Sequence, residues 1–104
     1  MANYVLAYHG GRKFQTPQEG AAYMRKWKAW MAGLGDAVVD PGKPLGAGKL
    51  VSATGVSDRG ANPLSGFSIV AADSMETVLE LARQCPHLDH GTIEVAEVME
   101  MRMR

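Results

Sequence analysis

The final third of the chain carries a pattern that few folds can accommodate. Residues 66–72 are strand formers with little charge, as expected of a strand covered on both faces. Asp73 or Ser74 then supplies a helix cap, and Pro86 stops the helix that follows. Residues 92–101 resume a strand pattern. The inner stripe of the predicted helix consists of Met75, Val78, Leu79 and Ala82.

The first third of the chain repeats the order of strand, helix and strand. Residues 3–9 are rich in strand formers, which predicts a strand with Tyr4, Leu6 and Tyr8 on one face and Val5, Ala7 and His9 on the other. Thr16 is the predicted N-cap of a helix, with Pro17 at its first position and Glu19 placed for a capping box. The apolar stripe of this helix is Tyr23, Trp27, Trp30, Met31 and Leu34. Gly33 and Gly35 close the helix, and residues 36–40 form a short strand.

Between these two halves, glycines and prolines make residues 41–48 a loop, residues 49–54 resume strand pairing, and residues 58–63 form a second turn. Two strand-helix-strand halves predict a ferredoxin-like α+β fold, in which an antiparallel sheet carries both helices on one face. We expect one domain spanning residues 1–104. The other sheet face would expose apolar side chains, so we expect two sheets to pack face to face in a homodimer.

Composition excludes several function classes. Eleven basic and eleven acidic residues cancel, so nothing steers the protein toward nucleic acid or an anionic membrane, and we expect neither as a partner. No apolar run approaches the roughly 20 residues of a membrane span. Cys85 is the single cysteine, which rules out an intramolecular disulfide framework, and no leader pattern precedes the first strand. These features favour the cytoplasm. Cys85 itself is expected to be a small buried hydrophobe.

Several segments together resemble the YCII-related, or DGPF, domain family over nearly the whole chain. They are residues 4–8, 27–30, 35–40, 44–46, 55–58, 66–70, 72–74, 85–88 and 91–95. The resemblance implies a dimeric α/β barrel built on the ferredoxin-like fold. It also implies lactone-isomerising or dehalogenating reactions without a cofactor, with a His–Asp pair proposed as the active site in part of the family.

The chain departs from that pattern at two places. The histidine of the family's pair lies on the first helix, whereas this helix has no histidine and carries Met24 at the corresponding turn. The DGPF tetrapeptide is also absent, and its nearest counterpart is residues 58–63. The catalytic mechanism proposed in the family therefore does not carry over residue by residue to this chain.

We predict the site in a cleft between the first helix, the loop of residues 40–49 and the turn of residues 85–90. His87 and Asp40 are the candidate catalytic residues, as a proton-exchanging group and its carboxylate. Trp27 and Lys49 are the candidate ligand-binding residues, as a stacking surface and an anion contact. No cofactor is expected. His87, Asp89 and His90 are too clustered to predict a metal site.

Each of these residues also has a structural interpretation. A histidine near a helix C-terminus is favoured by the helix dipole, and Trp27 with Trp30 could simply be core. Glu97 shares a predicted strand face with Ile93 and Val95, so it is either turned outward by a bulge, ion-paired at an interface, or buried with a raised pKa. Two functions therefore remain open: a module that binds a small anionic metabolite or serves as an accessory subunit, and a cofactor-free enzyme of proton-transfer or elimination type.

Overall fold

The computed structural model describes residues 1–11 and 13–100. The strands are β1 (Ala2–Gly10), β2 (Val38–Asp40), β3 (Lys49–Ser52), β4 (Gly55–Asp58), β5 (Leu64–Ala72) and β6 (Gly91–Glu97). The helices are α1 (Pro17–Leu34) and α2 (Met75–Ala82), with short 3-10 turns over Gly35–Ala37 and Pro86–Asp89. No helix among these residues is long and apolar enough to cross a membrane.

Four strands form the main sheet in the order β2-β5-β1-β6, and every neighbouring pair is antiparallel. The register places Leu6 of β1 opposite Ser68 of β5 on one side and Val95 of β6 on the other. With one helix after β1 and one after β5, this is the ferredoxin-like order of elements. The prediction of an α+β fold is confirmed.

The core lies on one face of the sheet, between the strands and both helices. Tyr4, Leu6 and Tyr8, which the sequence placed on one face of the first strand, are all buried there. Trp27, Trp30 and Leu34 reach this cluster from α1, and Val78 and Ala82 reach it from α2. The indole Nε1 of Trp30 donates to the Leu81 carbonyl oxygen at 3.0 Å, which ties the two helices together.

The helix caps agree with the sequence, but the inner stripe of α2 does not entirely. Thr16 accepts a hydrogen bond from the Glu19 backbone N–H at 3.1 Å, and Ser74 accepts one from Thr77 at 3.3 Å. Leu79, predicted to face inward, is 44% exposed. The reason is geometric, because Val78 and Ala82 at i and i+4 occupy the buried side, and Leu79 is rotated about 100° around the helix from Val78.

Two predicted strands are shorter than expected. The first residues of the segment 36–40 belong to a 3-10 turn, so only Val38–Asp40 pair with β5. The last strand ends at Glu97, and Met101, which the prediction included, lies outside the described residues. Glu97 needs no bulge, since the β1–β6 register runs unbroken from Gly91 to Glu97. It is exposed because it is the last residue of an edge strand.

Among the residues that the structure describes, strands β3 and β4 pair only with each other and form a separate two-stranded sheet. We call residues 49–58 the arm. Every residue of the arm is exposed. The prediction that residues 49–54 resume pairing holds for Lys49–Ser52, but their partner is the arm's second strand rather than the main sheet.

Candidate functional site

A cleft of about 710 Å³ opens on the helix side of the sheet. Three aromatic side chains form much of its wall: Tyr8 from β1, and Tyr23 and Trp27 from α1. Tyr8 and Trp27 meet edge to face with centroids 5.2 Å apart, and Tyr23 lies 6.1 Å from Trp27. The opposite wall comes from residues 41–44 and 65–67. Such a volume and lining suit a small molecule with an aromatic ring.

The charges around the cleft are of one sign. Lys28 and Lys43 line it, and no Asp or Glu does so among the residues that the structure describes. Within that same part of the chain, neither lysine forms an ion pair, whereas Lys26 on the same helix lies 3.8 Å from Asp89. Two unpaired ammonium groups beside aromatic rings favour an anionic ligand.

His87 also lines the cleft, although only 7% of its surface is accessible to solvent. Its Nε2 lies 2.9 Å from the carbonyl oxygen of His9. A carbonyl only accepts, so Nε2 carries the proton, and the neutral ring then has its lone pair on Nδ1. The ring contacts Tyr8 with centroids 5.4 Å apart. Nδ1 is therefore the ring nitrogen that can accept a proton.

The position of the His87 ring depends on a neighbouring glycine. A Cβ at Gly91 would lie 2.2 Å from the His9 carbonyl oxygen and 2.6 Å from His87 Nε2. A Cβ at Gly11 would lie 3.7 Å from His87 Cε1. The hydrogen bond between His87 and β1 thus depends on the missing side chain at Gly91.

A buried chain of hydrogen bonds fixes the wall opposite α1. The Tyr8 hydroxyl donates to Ser68 Oγ at 2.8 Å, and Ser68 Oγ donates to the Pro41 carbonyl oxygen at 2.8 Å. Ser68 is fully buried on β5. Asp40 accepts from the Gly42 backbone N–H at 2.8 Å, which closes the turn that carries Lys43.

Burial keeps the nearby phenols and the thiol protonated. It raises the pKa of Tyr23 to about 12 and also raises the pKa of Tyr8, although the hydrogen bond between Tyr8 and Ser68 lowers the latter in part. It raises the pKa of Cys85 to about 11, although the His87 backbone N–H lowers it in part. The tyrosines are therefore neutral walls and hydrogen-bond donors at neutral pH.

The structure brings together two of the four predicted site residues. His87 and Trp27 line the cleft, which lies between α1, the start of the 40–49 loop and the 85–90 turn. Asp40 does not line it and instead caps the turn at Gly42. Lys49 lies on the arm, where its ammonium group pairs with Asp58. The lysines that line the cleft are Lys28 and Lys43 instead.

Lys28 was missed, although the sequence contained a signal for it. Met24 and Lys28 are four residues apart, and Met31 follows three residues later, so all three lie along one side of a helix next to Trp27. All four line the cleft. Among the residues described, no three His, Cys, Asp or Glu side chains come close enough to hold a metal ion.

Comparison with known proteins identifies the family to which this chain belongs. The model of the YCII-related domain matches residues 2–102, and the chain belongs to that family. Among curated proteins, none matches the chain. One similar solved structure is 5-chloro-2-hydroxyhydroquinone dehydrochlorinase from Burkholderia phenoliruptrix AC1100 in complex with 2,5-dihydroxybenzoquinone, with a TM-score of 0.59. It is 19% identical, and the match covers 94% of this chain and 95% of that one, so the likeness shows a shared fold.

Proposed function

We propose that this cleft binds a small anionic aromatic metabolite. The observation that carries the proposal is the combination of three aromatic walls with Lys28 and Lys43, in a cleft whose described lining has no carboxylate. A flat ring would lie against Tyr23 and Trp27, and its acidic substituent would contact an ammonium group. The related dehydrochlorinase was solved with 2,5-dihydroxybenzoquinone, a flat ring with acidic hydroxyls, and this ligand supports the same class here.

Calorimetric titration with 2,5-dihydroxybenzoquinone, salicylate and uncharged benzyl alcohol tests this proposal. We expect the two acidic rings to bind and the alcohol to bind far more weakly. Lys43→Met and Lys28→Met should each weaken acid binding about five-fold, which corresponds to about 1 kcal/mol. Lys26→Met is the matched control, because Lys26 is on the same helix but pairs with Asp89 outside the cleft. Equal affinity for the acids and the alcohol would contradict the proposal.

A second function is supported by the position of His87. With Nε2 committed to the His9 carbonyl, Nδ1 is a base within an aromatic cleft, and elimination of a proton and a halide from a hydroxylated ring needs no redox partner. In that reaction Nδ1 accepts the proton, and the halide leaves with the electron pair of its bond to carbon. The dehydrochlorinase of the same fold supports this reaction class.

Incubation with 5-chloro-2-hydroxyhydroquinone under anaerobic conditions, followed by ion chromatography of released chloride, tests the second function. We expect chloride release above the uncatalysed rate, and a loss of at least 100-fold in His87→Gln. His90→Gln is the matched control, since His90 is on the same turn but does not line the cleft. If His87→Gln changes neither chloride release nor ligand affinity, His87 is a structural residue of its turn.

We further propose that the chain works as a homodimer through its open sheet face. Val5, Ala7, Phe67 and Ile69 lie on the side of the sheet that the helices leave uncovered, and they are only partly buried. The accessible surface is 7576 Å², whereas a folded monomer of 11.2 kDa is expected to expose about 5,700 Å². The difference of roughly 1,900 Å² is in the range that one partner of a stable dimer buries. Light scattering with a molar-mass readout should give twice the chain mass.

A further inference from the structure

The arm presents a concentrated apolar surface that the rest of the chain does not cover. Val51 and Val56 are directly opposite each other in the ladder, so both side chains lie on one face of the arm. They are 79% and 68% exposed. Leu50, on the other face, is 55% exposed.

An isolated two-stranded hairpin is marginally stable in water, because it has no sheet or helix against which to bury its side chains. The arm is in this position, since neither of its strands pairs with the main sheet. The molecule is correspondingly extended. Its radius of gyration is 15.3 Å, compared with about 13 Å for a compact domain of 104 residues.

We propose that the arm docks on a second copy of this chain through its Val51–Val56 face. The inference rests on the proposed homodimer and assigns part of its interface to a segment outside the main sheet. The exposed arm is part of the accessible surface that exceeds the value expected for a folded monomer, so the arm can contribute area to the dimer interface. The arm's own charges do not oppose that contact. Lys49 and Asp58 are the arm's only charged residues, and they form an ion pair, so the arm carries no net charge that would repel the arm of a second copy.

Sedimentation velocity over a range of concentrations tests the inference. Val51→Glu and Val56→Glu should each raise the Kd of the dimer at least ten-fold, because each places a carboxylate in an apolar contact. Ser57→Glu is the matched control, since Ser57 is opposite Leu50 on the other face of the arm, and we expect its Kd to stay within two-fold of the unmodified chain. The arm makes no ladder with the body, so all three variants should keep the same thermal unfolding midpoint when dilute.

Ile69→Glu, on the open sheet face, separates failure of this inference from failure of the dimer. If Ile69→Glu is monomeric while the two valine variants dimerise like the unmodified chain, the arm is not part of the interface and the inference is wrong. If the unmodified chain is monomeric at every concentration, both proposals are wrong. Amide hydrogen exchange is a second measurement, in which residues 50–57 should be protected at high concentration and exchange rapidly on dilution.

Discussion

The cleft and the arm are held in place by different kinds of contact, buried in the first and exposed in the second. Around the cleft, Tyr8 and Ser68 are buried, and their hydroxyls are joined in a chain that ends on a backbone carbonyl. In the arm, every residue is exposed, and the ion pair between Lys49 and Asp58 lies in water. Burial makes interactions strong and substitutions costly, whereas exposed contacts contribute little to folding. The two regions should therefore respond very differently to the same chemical change.

The largest difference is expected at two glycines of the loop that joins the regions. Gly42 has a φ of +75°, and a Cβ there would lie 1.6 Å from the Phe67 carbonyl oxygen. Gly42→Ala should lower the free energy of unfolding by about 4 kcal/mol, from backbone strain and overpacking together. At Gly46 nothing lies within 4 Å of a Cβ, so Gly46→Ala should change it by no more than about 0.5 kcal/mol. Urea titration of both variants measures the contrast, and similar midpoints would contradict it.

A matched pair of leucines gives the next largest effect. Leu6 is fully buried in the core, and Leu50 in the arm is 55% exposed. Leu6→Ala should destabilise the protein by about 3 kcal/mol, because it removes buried methyl groups and leaves a cavity. Leu50→Ala should cost no more than about 0.5 kcal/mol in dilute, monomeric protein. A large loss at Leu50 under those conditions would mean that the arm packs on its own chain.

The sequence predicted the parts of the fold that local chemistry determines. Thr16 was identifiable as a cap, and Ser74 as one of two candidates with Asp73, because a hydroxyl before a helix satisfies a free backbone N–H. The two-residue period of a strand placed Tyr4, Leu6 and Tyr8 together on one face of β1, and the structure shows that this face is buried. The arm was not identifiable, because strand patterning in residues 49–54 indicates pairing without saying which strand is the partner.

The candidate site was only half predictable for the same reason. His87 and Trp27 follow from the ends and the stripe of regular elements, and both line the cleft. The sequence prediction assigned Asp40 and Lys49 to the cleft because they flank one loop. The path of that loop is determined by long-range contacts. The hydrogen bond from Ser68 to Pro41 spans 27 residues, and the backbone bond from Leu45 to Ser65 spans 20. No local sequence pattern indicates hydrogen bonds between residues so far apart in the chain. The sequence therefore could not predict that the loop brings Lys43, rather than Lys49, to the cleft.

Alkaline pH should reveal the buried side of the comparison with a smaller effect. Burial raises the pKa of Cys85 from its ordinary 9.0 to about 11, so the folded state holds the thiol proton more tightly than the unfolded chain. The resulting stability is complete below pH 9 and is lost as pH rises from 9 to 11. Its size is on the order of 1 to 2 kcal/mol. Urea midpoints across this range should fall less steeply in Cys85→Ala, whereas an identical slope would show that other groups cause the loss.

The smallest effect is expected at Lys49, a residue of the exposed arm that the sequence predicted to bind an anion in the cleft. Lys49 pairs with Asp58, but both side chains are largely exposed, with 64% and 86% of their surfaces accessible. Lys49→Met should therefore change the free energy of unfolding by no more than about 0.5 kcal/mol. It should also leave the affinity for 2,5-dihydroxybenzoquinone within two-fold, because Lys49 does not line the cleft. A ten-fold loss of affinity, with Lys43→Met unchanged, would instead support the sequence-based prediction that Lys49 is the anion contact.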